Sequence, residues 1–246
     1  MIALKPIVEA IRVLKLGFFQ TLKLLLYYIG ACTVLKQFAK LAKARIDAEK
    51  IGWLVILAVS ADKLVDKYRV RLGMNSGEIA AENIKSEARP LLDFFLRSYF
   101  ILDLSIPAKL KLDEVFMAQR LSERQFHYCT KEELYAISTL KGGKTGEFHM
   151  LAFKDCDNRE LHAAHIVGAF MQLFDDWIDI HQDRRERVRT LFTDYWSEHE
   201  LEKEYRVRRT ILTHYGFENY ARMLDWIWHR RYFFKFMKRL IDLLGG

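Results

Sequence analysis

Residues that interrupt a helix are scarce in this chain, and their scarcity constrains the fold more than any other feature. The 246 residues include only 3 prolines and 12 glycines. A β-sandwich or β-barrel needs turn residues about every ten positions, whereas helices tolerate long stretches without them. Apolar residues also recur at helical spacing along most of the chain. The sequence therefore predicts an all-α protein.

The breaks in this periodicity predict ten or more helices in one domain that spans residues 1–246. Residues 1–45 are expected to form amphipathic N-terminal helices, and residues 46–246 the core. Helices are predicted over Ala48–Tyr68 and Ser76–Ser86, and one unbroken helix over Phe217–Leu244. Glycine disfavours helix continuation. The pair Gly142-Gly143 is therefore expected to separate two helices.

The charge and the cysteines bear on partners and on location. A net charge of +7 predicts an anionic partner, either nucleic acid, an acidic membrane surface or a phosphorylated small molecule. The chain lacks zinc-finger spacing and RNP-like motifs, which disfavours nucleic acid. Three widely spaced cysteines without a CxxC pair favour a reducing, cytoplasmic location. Leu16–Leu35 is long enough to span a bilayer, but Lys23 interrupts it, which favours a buried helix or a membrane-surface helix.

The most informative segment is Leu161–Asp183, which contains no Lys or Arg in an otherwise basic chain. At about 100° per residue, one side of this helix carries Gln172, Asp175, Asp176, Asp179 and Asp183. A solvated helix face normally alternates unlike charges, because like charges one turn apart repel. Carboxylate oxygens at this spacing suit Mg²⁺, which also keeps phosphate oxygens in its shell. The stripe predicts a magnesium site, and the alternative is an acidic face that is solvated or paired with distant arginines.

A second acidic pair follows another apolar run. Ile51–Ala61 is uncharged and is followed by Asp62 and Asp66, one helical turn apart. Two helices that each carry carboxylates near their C-terminal ends could face one cavity. Lys63 and Lys67 alternate with these aspartates, so a solvated surface turn is the alternative.

Three motifs resemble those of the class I isoprenoid synthases, over about residues 50–240. The run Gly168–Asp179, GAFMQLFDDWID, resembles the second aspartate-rich motif of trans-prenyltransferases, GxxxQxxDDxxD, and fills every fixed position. Lys144-Thr145 resembles the KT element, whose lysine contacts the substrate diphosphate in that family. Asp62 and Asp66 resemble the first aspartate-rich motif, although Lys63 stands at its second aspartate. Their DxxxD spacing is closer to that of squalene and phytoene synthases.

Further residues are similar to other elements of this superfamily. Arg69 and Arg71 follow the first motif as the arginine pair does in prenyltransferases, although Val70 splits them. Asp175, Asp179 and Asp183 are similar to the metal-binding triad of class I terpene cyclases. Arg231-Tyr232 resembles the late arginine-tyrosine pair of those cyclases.

The resemblance implies a helical bundle with a central active-site cavity and magnesium-dependent ionisation of a prenyl diphosphate. It implies that several Mg²⁺ ions are held by Asp62, Asp66, Asp175, Asp176, Asp179 and Asp183. It also implies a set of diphosphate-binding residues, namely Lys144, Thr145, Arg69, Arg71, Gln172 and Arg231. The residues expected to be catalytic are Asp62, Asp66, Asp175, Asp179 and Lys144.

Three functions stay open at this point. A prenyltransferase that releases pyrophosphate is favoured, because the second motif is complete. A class I terpene cyclase would use the same ionisation. A catalytically silent helical protein would instead bind an acidic membrane or a protein partner. Homodimers are common among prenyltransferases, so the resemblance also implies a homodimer. The two histidines on the same helix as the aspartates, His162 and His165, are expected to be structural.

Overall fold

The computed structural model describes residues 2–14, 18–75 and 78–243. Of the described residues 79% are helical, which confirms the all-α class. The α-helices of the described part are α1 (Lys5–Leu14), α2 (Phe18–Leu41), α3 (Ala48–Asp66), α4 (Arg89–Leu102), α5 (Ile106–Ser122), α6 (Lys131–Phe153), α7 (Asn158–Ile178), α8 (Ile180–Glu186), α9 (Leu191–Asp194), α10 (Glu198–His214), α11 (Glu218–His229) and α12 (Arg231–Leu243). Two short 3₁₀ helices cover Ser86–Ala88 and Glu123–Phe126, and two strands are β1 (Arg71–Asn75) and β2 (Glu78–Glu82).

Contacts divide the chain into two compact units. The first comprises Met1–Asp113 and Arg239–Gly246, and the second comprises Glu114–Lys238. In the first unit α3 packs against α1, α2 and α4. In the second unit α7 packs closely on α6 and also contacts α10 and α11. The prediction of a single domain stays a prediction.

Helix α3 forms where the sequence predicts it, beginning at Ala48. The Asp47 carboxylate caps its first turn by accepting hydrogen bonds from the backbone N–H groups of Glu49 and Lys50. The uncharged body that follows is buried, and Trp53 and Leu57 are nearly inaccessible to water. Burial of this apolar body anchors the helix in the first unit.

The prediction of a helix over Ser76–Ser86 was wrong. Strand β2 pairs antiparallel with β1, and Met74 lies opposite Ile79. The Asp113 carboxylate accepts a hydrogen bond from the Met74 backbone N–H at 2.9 Å, which ties β1 to α5. Cross-strand pairing and this side-chain bond override the helix propensity of the two alanines in β2.

The prediction of a break at Gly142-Gly143 was also wrong, because α6 continues through both glycines. Thr130 and Glu133 form a capping box at its first turn. The predicted helix over Phe217–Leu244 is interrupted instead, since Arg230 ends α11 and α12 begins at the next residue.

One helix in the described part of the chain is long and apolar enough to cross a membrane. It is the segment Gln20–Leu41 of α2, of which 33% is buried inside the protein. The same length and composition occur in core helices of soluble proteins and in signal sequences.

Candidate functional site

Helices α6 and α7 approach each other unusually closely because glycines face glycines at their crossing. A Cβ atom at Gly168 would overlap the Gly142 carbonyl oxygen and lie 2.8 Å from the Gly146 Cα. A Cβ atom at Gly143 would overlap the imidazole ring of His165. Gly142 and Gly143, which were expected to break a helix, therefore form the contact between α6, which carries Lys144-Thr145, and α7, which carries the aspartate-rich motif.

This close packing builds a buried hydrogen-bond network around Asp176. The Ser138 hydroxyl of α6 donates to one carboxylate oxygen at 2.7 Å. The Gln172 side-chain amide donates to the other at 2.8 Å, one turn away on α7. Burial raises the pKa of Asp176, while these two hydrogen bonds and the charge of Lys141 oppose the rise. Gln172, which was predicted to bind the diphosphate, instead donates its side-chain amide to the Asp176 carboxyl.

Asp175, Asp176, Asp179 and Asp183 form what we call the acidic cluster, at the C-terminal end of α7 and in α8. Asp175 is exposed and Asp176 is buried. Asp179 stands at the junction of α7 and α8, where its backbone N–H bonds to the Asp175 carbonyl oxygen at 2.9 Å. Negative charge at a helix C-terminus is unfavourable, because the backbone carbonyls there already carry partial negative charge. Positive charge near the acidic cluster is therefore favourable.

The pKa of Asp183 reports this crowding. It is raised to about 8, first by burial and then by the negative charges of Asp176, Asp179 and Glu186. The charge of Lys238 opposes the rise. The raised pKa favours the protonated, neutral form of Asp183, which limits the negative charge of the acidic cluster.

Lys238 of α12 supplies positive charge to the acidic cluster. Its ammonium group lies 3.2 Å from an Asp179 carboxylate oxygen and also donates to the Gln182 side-chain oxygen. The turn of α12 from Phe234 to Lys238 packs here, since Lys235 lies over the Trp177 ring at 3.8 Å and Phe234 meets Phe174 edge to face. Sequence reasoning missed Lys238, and the available signal was the lack of any cation within the acidic stripe itself.

Lys144, the predicted diphosphate-binding lysine, belongs to a separate ion-pair network on the second unit. Its ammonium group lies 2.7 Å from Glu114 and 3.4 Å from Glu147. The other oxygen of the buried Glu147 lies 2.6 Å from Nδ1 of His165. Thr145 donates its hydroxyl to the Lys141 carbonyl oxygen of its own helix. The KT pair is thus engaged by protein groups.

The predicted residues of the first motif belong to the first unit, and Arg231 belongs to the second. Asp62 is exposed near the end of α3, whereas the Asp66 side chain lies outside the described part of the structure. Arg69 is exposed, with a φ of 56° that most residues avoid, and Arg71 is exposed at the start of β1. Arg231 forms an ion pair with Glu198 at 3.2 Å and stacks on the Trp228 and Tyr232 rings.

The donor chemistry of the acidic cluster suits a hard divalent cation, because carboxylate oxygens are crowded there. Among the described residues, however, no three His, Cys, Asp or Glu side chains converge into a group that could hold a metal ion. Asp176 is oriented by Ser138 and Gln172, and Asp179 by Lys238. Metal binding here would require these side chains to turn toward one point.

Comparison with family models, with curated proteins and with solved structures finds no match for this chain.

Proposed function

We propose that the chain is a magnesium-dependent enzyme of the class I isoprenoid synthase type, most simply a prenyltransferase that ionises an allylic polyprenyl diphosphate and releases pyrophosphate. One observation supports this proposal above the others. The glycine contacts between α6 and α7 hold the KT helix directly against the aspartate-rich helix within one compact unit. The aspartate-rich motif and the Lys144-Thr145 pair therefore lie on two helices that pack directly against each other.

The proposed reaction needs positive charge, because negative charge develops on pyrophosphate as the carbon–oxygen bond breaks. Asp175, Asp176, Asp179 and Asp183 would hold the magnesium, which supplies most of that charge when bound. Lys144 would add a hydrogen-bonded ammonium group on the rim. In the structure this lysine is held by Glu114 and Glu147, so a diphosphate would compete with these carboxylates for it.

The remaining residues of the network position these groups. Ser138 and Gln172 hold both oxygens of Asp176, which restricts the rotation of that carboxyl. The Lys238 ammonium group lies at Asp179, and its charge opposes the raised pKa of Asp183, so Lys238 favours the charged forms of both carboxyls. Lys238 would have to release Asp179 for that carboxylate to hold a metal ion.

A second candidate is a helical protein without catalytic activity. The observation that favours it is the internal neutralisation of the two charged sites. Lys238 pairs with Asp179, and Lys144 pairs with Glu114. A protein that keeps these pairs permanently would use the acidic cluster to join α7, α8 and α12 rather than to bind a metal.

Pyrophosphate release from geranyl, farnesyl and geranylgeranyl diphosphates tests the proposal, with and without Mg²⁺ and isopentenyl diphosphate. We expect release that depends on Mg²⁺ and is lost in Asp175→Asn/Asp179→Asn. Asp155→Asn is the matched control, because this exposed aspartate lies between α6 and α7 outside the acidic cluster. Product that requires isopentenyl diphosphate indicates a transferase, whereas a hydrocarbon or alcohol from one substrate indicates a cyclase.

The result that contradicts the proposal is equally specific. If no substrate releases pyrophosphate, and Mg²⁺ leaves the melting temperature of the native chain unchanged, the acidic cluster is a structural contact. Release that persists in the double asparagine variant would place the active site elsewhere.

A further inference from the structure

Helix α12 carries aromatic side chains on the face opposite its packed side. Phe233 is 60% exposed and Phe236 is 61% exposed. At about 100° per residue these two side chains lie roughly opposite Phe234 and Lys238, which contact Phe174 and Asp179. The same three-four spacing continues in the sequence at Leu240 and Leu243. We call the exposed side of α12 that carries Phe233 and Phe236 the outer face.

The inner contacts show that this orientation is fixed by packing. Lys235 stacks on Trp177 at 3.8 Å, and Phe234 also meets Trp226 edge to face with ring centroids 5.8 Å apart. A rotation of α12 that buried Phe233 would break these contacts and the ion pair between Lys238 and Asp179. The outer face therefore stays exposed for a physical reason, and exposing two phenylalanines is costly unless something covers them.

The charges beside the outer face select the kind of partner. From His229 to Arg239 the sequence has five Lys or Arg residues and no carboxylate. Three of these cations contact protein groups on the packed side, namely Arg231 at Glu198, Lys235 at Trp177 and Lys238 at Asp179. Arg230 and Arg239 are exposed before and after the two phenylalanines, and the Arg230 guanidinium lies over the Trp226 ring. A second copy of the same face would bring arginine against arginine, so a symmetric dimer through this face is disfavoured.

We propose that the outer face of α12 docks the protein on an anionic lipid surface. Phe233 and Phe236 enter the boundary between headgroups and acyl chains, while Arg230 and Arg239 contact acidic headgroups. Helices with an aromatic apolar side and basic flanks lie in membrane interfaces in this way. This inference does not depend on the proposed catalytic function, because none of these four residues belongs to the acidic cluster or to the Lys144 network.

Sedimentation of the full chain with lipid vesicles tests the inference. Vesicles of phosphatidylcholine with about 30% phosphatidylserine should bind the native chain, and vesicles of pure phosphatidylcholine should bind it more weakly, because each nearby cation favours an anionic surface. Phe233→Ser/Phe236→Ser should lower the partition coefficient by about tenfold or more, because apolar burial is lost. The matched control is Tyr128→Ser/Tyr215→Ser, which removes aromatic rings that are 78% and 59% exposed elsewhere in the same unit.

Three results would overturn the inference. The first is a native chain that does not sediment with either type of vesicle. The second is a Phe233→Ser/Phe236→Ser protein that binds as the native chain does. The third is a native dimer, seen by analytical ultracentrifugation, that this double variant converts to a monomer, since the outer face would then be a self-association surface. If the double variant loses its helical circular dichroism, Phe236→Glu replaces it, because a charge at this exposed position blocks insertion without opening a core.

Discussion

A methyl group at Gly168 should separate α6 from α7. The added Cβ would overlap the Gly142 carbonyl oxygen and lie 2.8 Å from the Gly146 Cα, whereas ordinary contacts between carbon atoms are about 3.5–4.0 Å. Both neighbours are backbone atoms, so no side chain can rotate away. Relief requires one helix to move by about 1 Å in a close-packed interior.

The size of the effect follows from two opposing terms. Overpacking of this kind costs about 1–3 kcal/mol, and backbone-to-backbone contact places Gly168→Ala at the upper end. Alanine gains about 1 kcal/mol over glycine in a helix. The net expectation is a loss of about 2 kcal/mol in the free energy of unfolding, equivalent to a melting temperature lowered by about 4–8 °C in a chain of this size.

Gly30→Ala is the matched control, because a Cβ atom at this glycine of α2 meets nothing within 4 Å. It should raise the free energy of unfolding by about 0.5–1 kcal/mol through helix propensity alone. Urea denaturation followed by circular dichroism measures both changes. If Gly168→Ala is as stable as the native chain, or is stabilised like Gly30→Ala, the close approach of α6 and α7 is refuted.

Three further predictions concern the acidic cluster and a helix cap. Because the pKa of Asp183 is raised to about 8 in the folded chain, the folded state holds a proton that the unfolded state releases above about pH 4. The stability contributed by this group therefore falls as pH rises from about 4 to 8. Asp183→Asn should flatten the melting temperature over that window, and an unchanged slope would contradict the assignment. Lys238→Met should destabilise the fold by about 2 kcal/mol, and Mg²⁺ should restore more stability to this variant than to the native chain in thermal melts; an equal response would exclude competition between Lys238 and the metal. Thr130→Ala removes half of the capping box of α6 and should cost about 1 kcal/mol in urea denaturation, with Thr213→Ala, an exposed threonine near the end of α10, as its control.

Helical periodicity was enough to predict the fold class and the start of α3. Helix α3 begins at Ala48 as predicted, because its start combines a capping aspartate with an uncharged apolar run. Short elements were predicted less well, since their structure depends on pairing partners outside the element itself. Strand β2 is held by β1 and by the bond between Met74 and Asp113, and neither partner is visible in the local pattern of Glu78–Glu82.

Glycine was the residue type that sequence reasoning interpreted least well. The pair Gly142-Gly143 was expected to end a helix, because glycine loses more conformational freedom than other residues when it is placed in a helix interior. In the structure the same lack of a side chain lets α7 approach α6 at Gly168. A helix interior tolerates glycine when the contact it permits outweighs the lost propensity, and that contact is tertiary.

The acidic cluster shows why the candidate site could be predicted only in part. Periodicity correctly placed Asp176 and Asp179 near one another at the end of a helix, but it could not identify their counter-charge. That charge comes from Lys238, which reaches Asp179 from a helix that begins at Arg231. The lysine does not cancel the crowding, since the pKa of Asp183 stays raised to about 8 beside it. One ammonium group against several carboxylates at a helix C-terminus leaves room for further positive charge. The response of Lys238→Met to Mg²⁺ therefore bears on both candidate functions, because a metal site gains affinity when its internal competitor is removed, whereas a structural ion pair only loses stability.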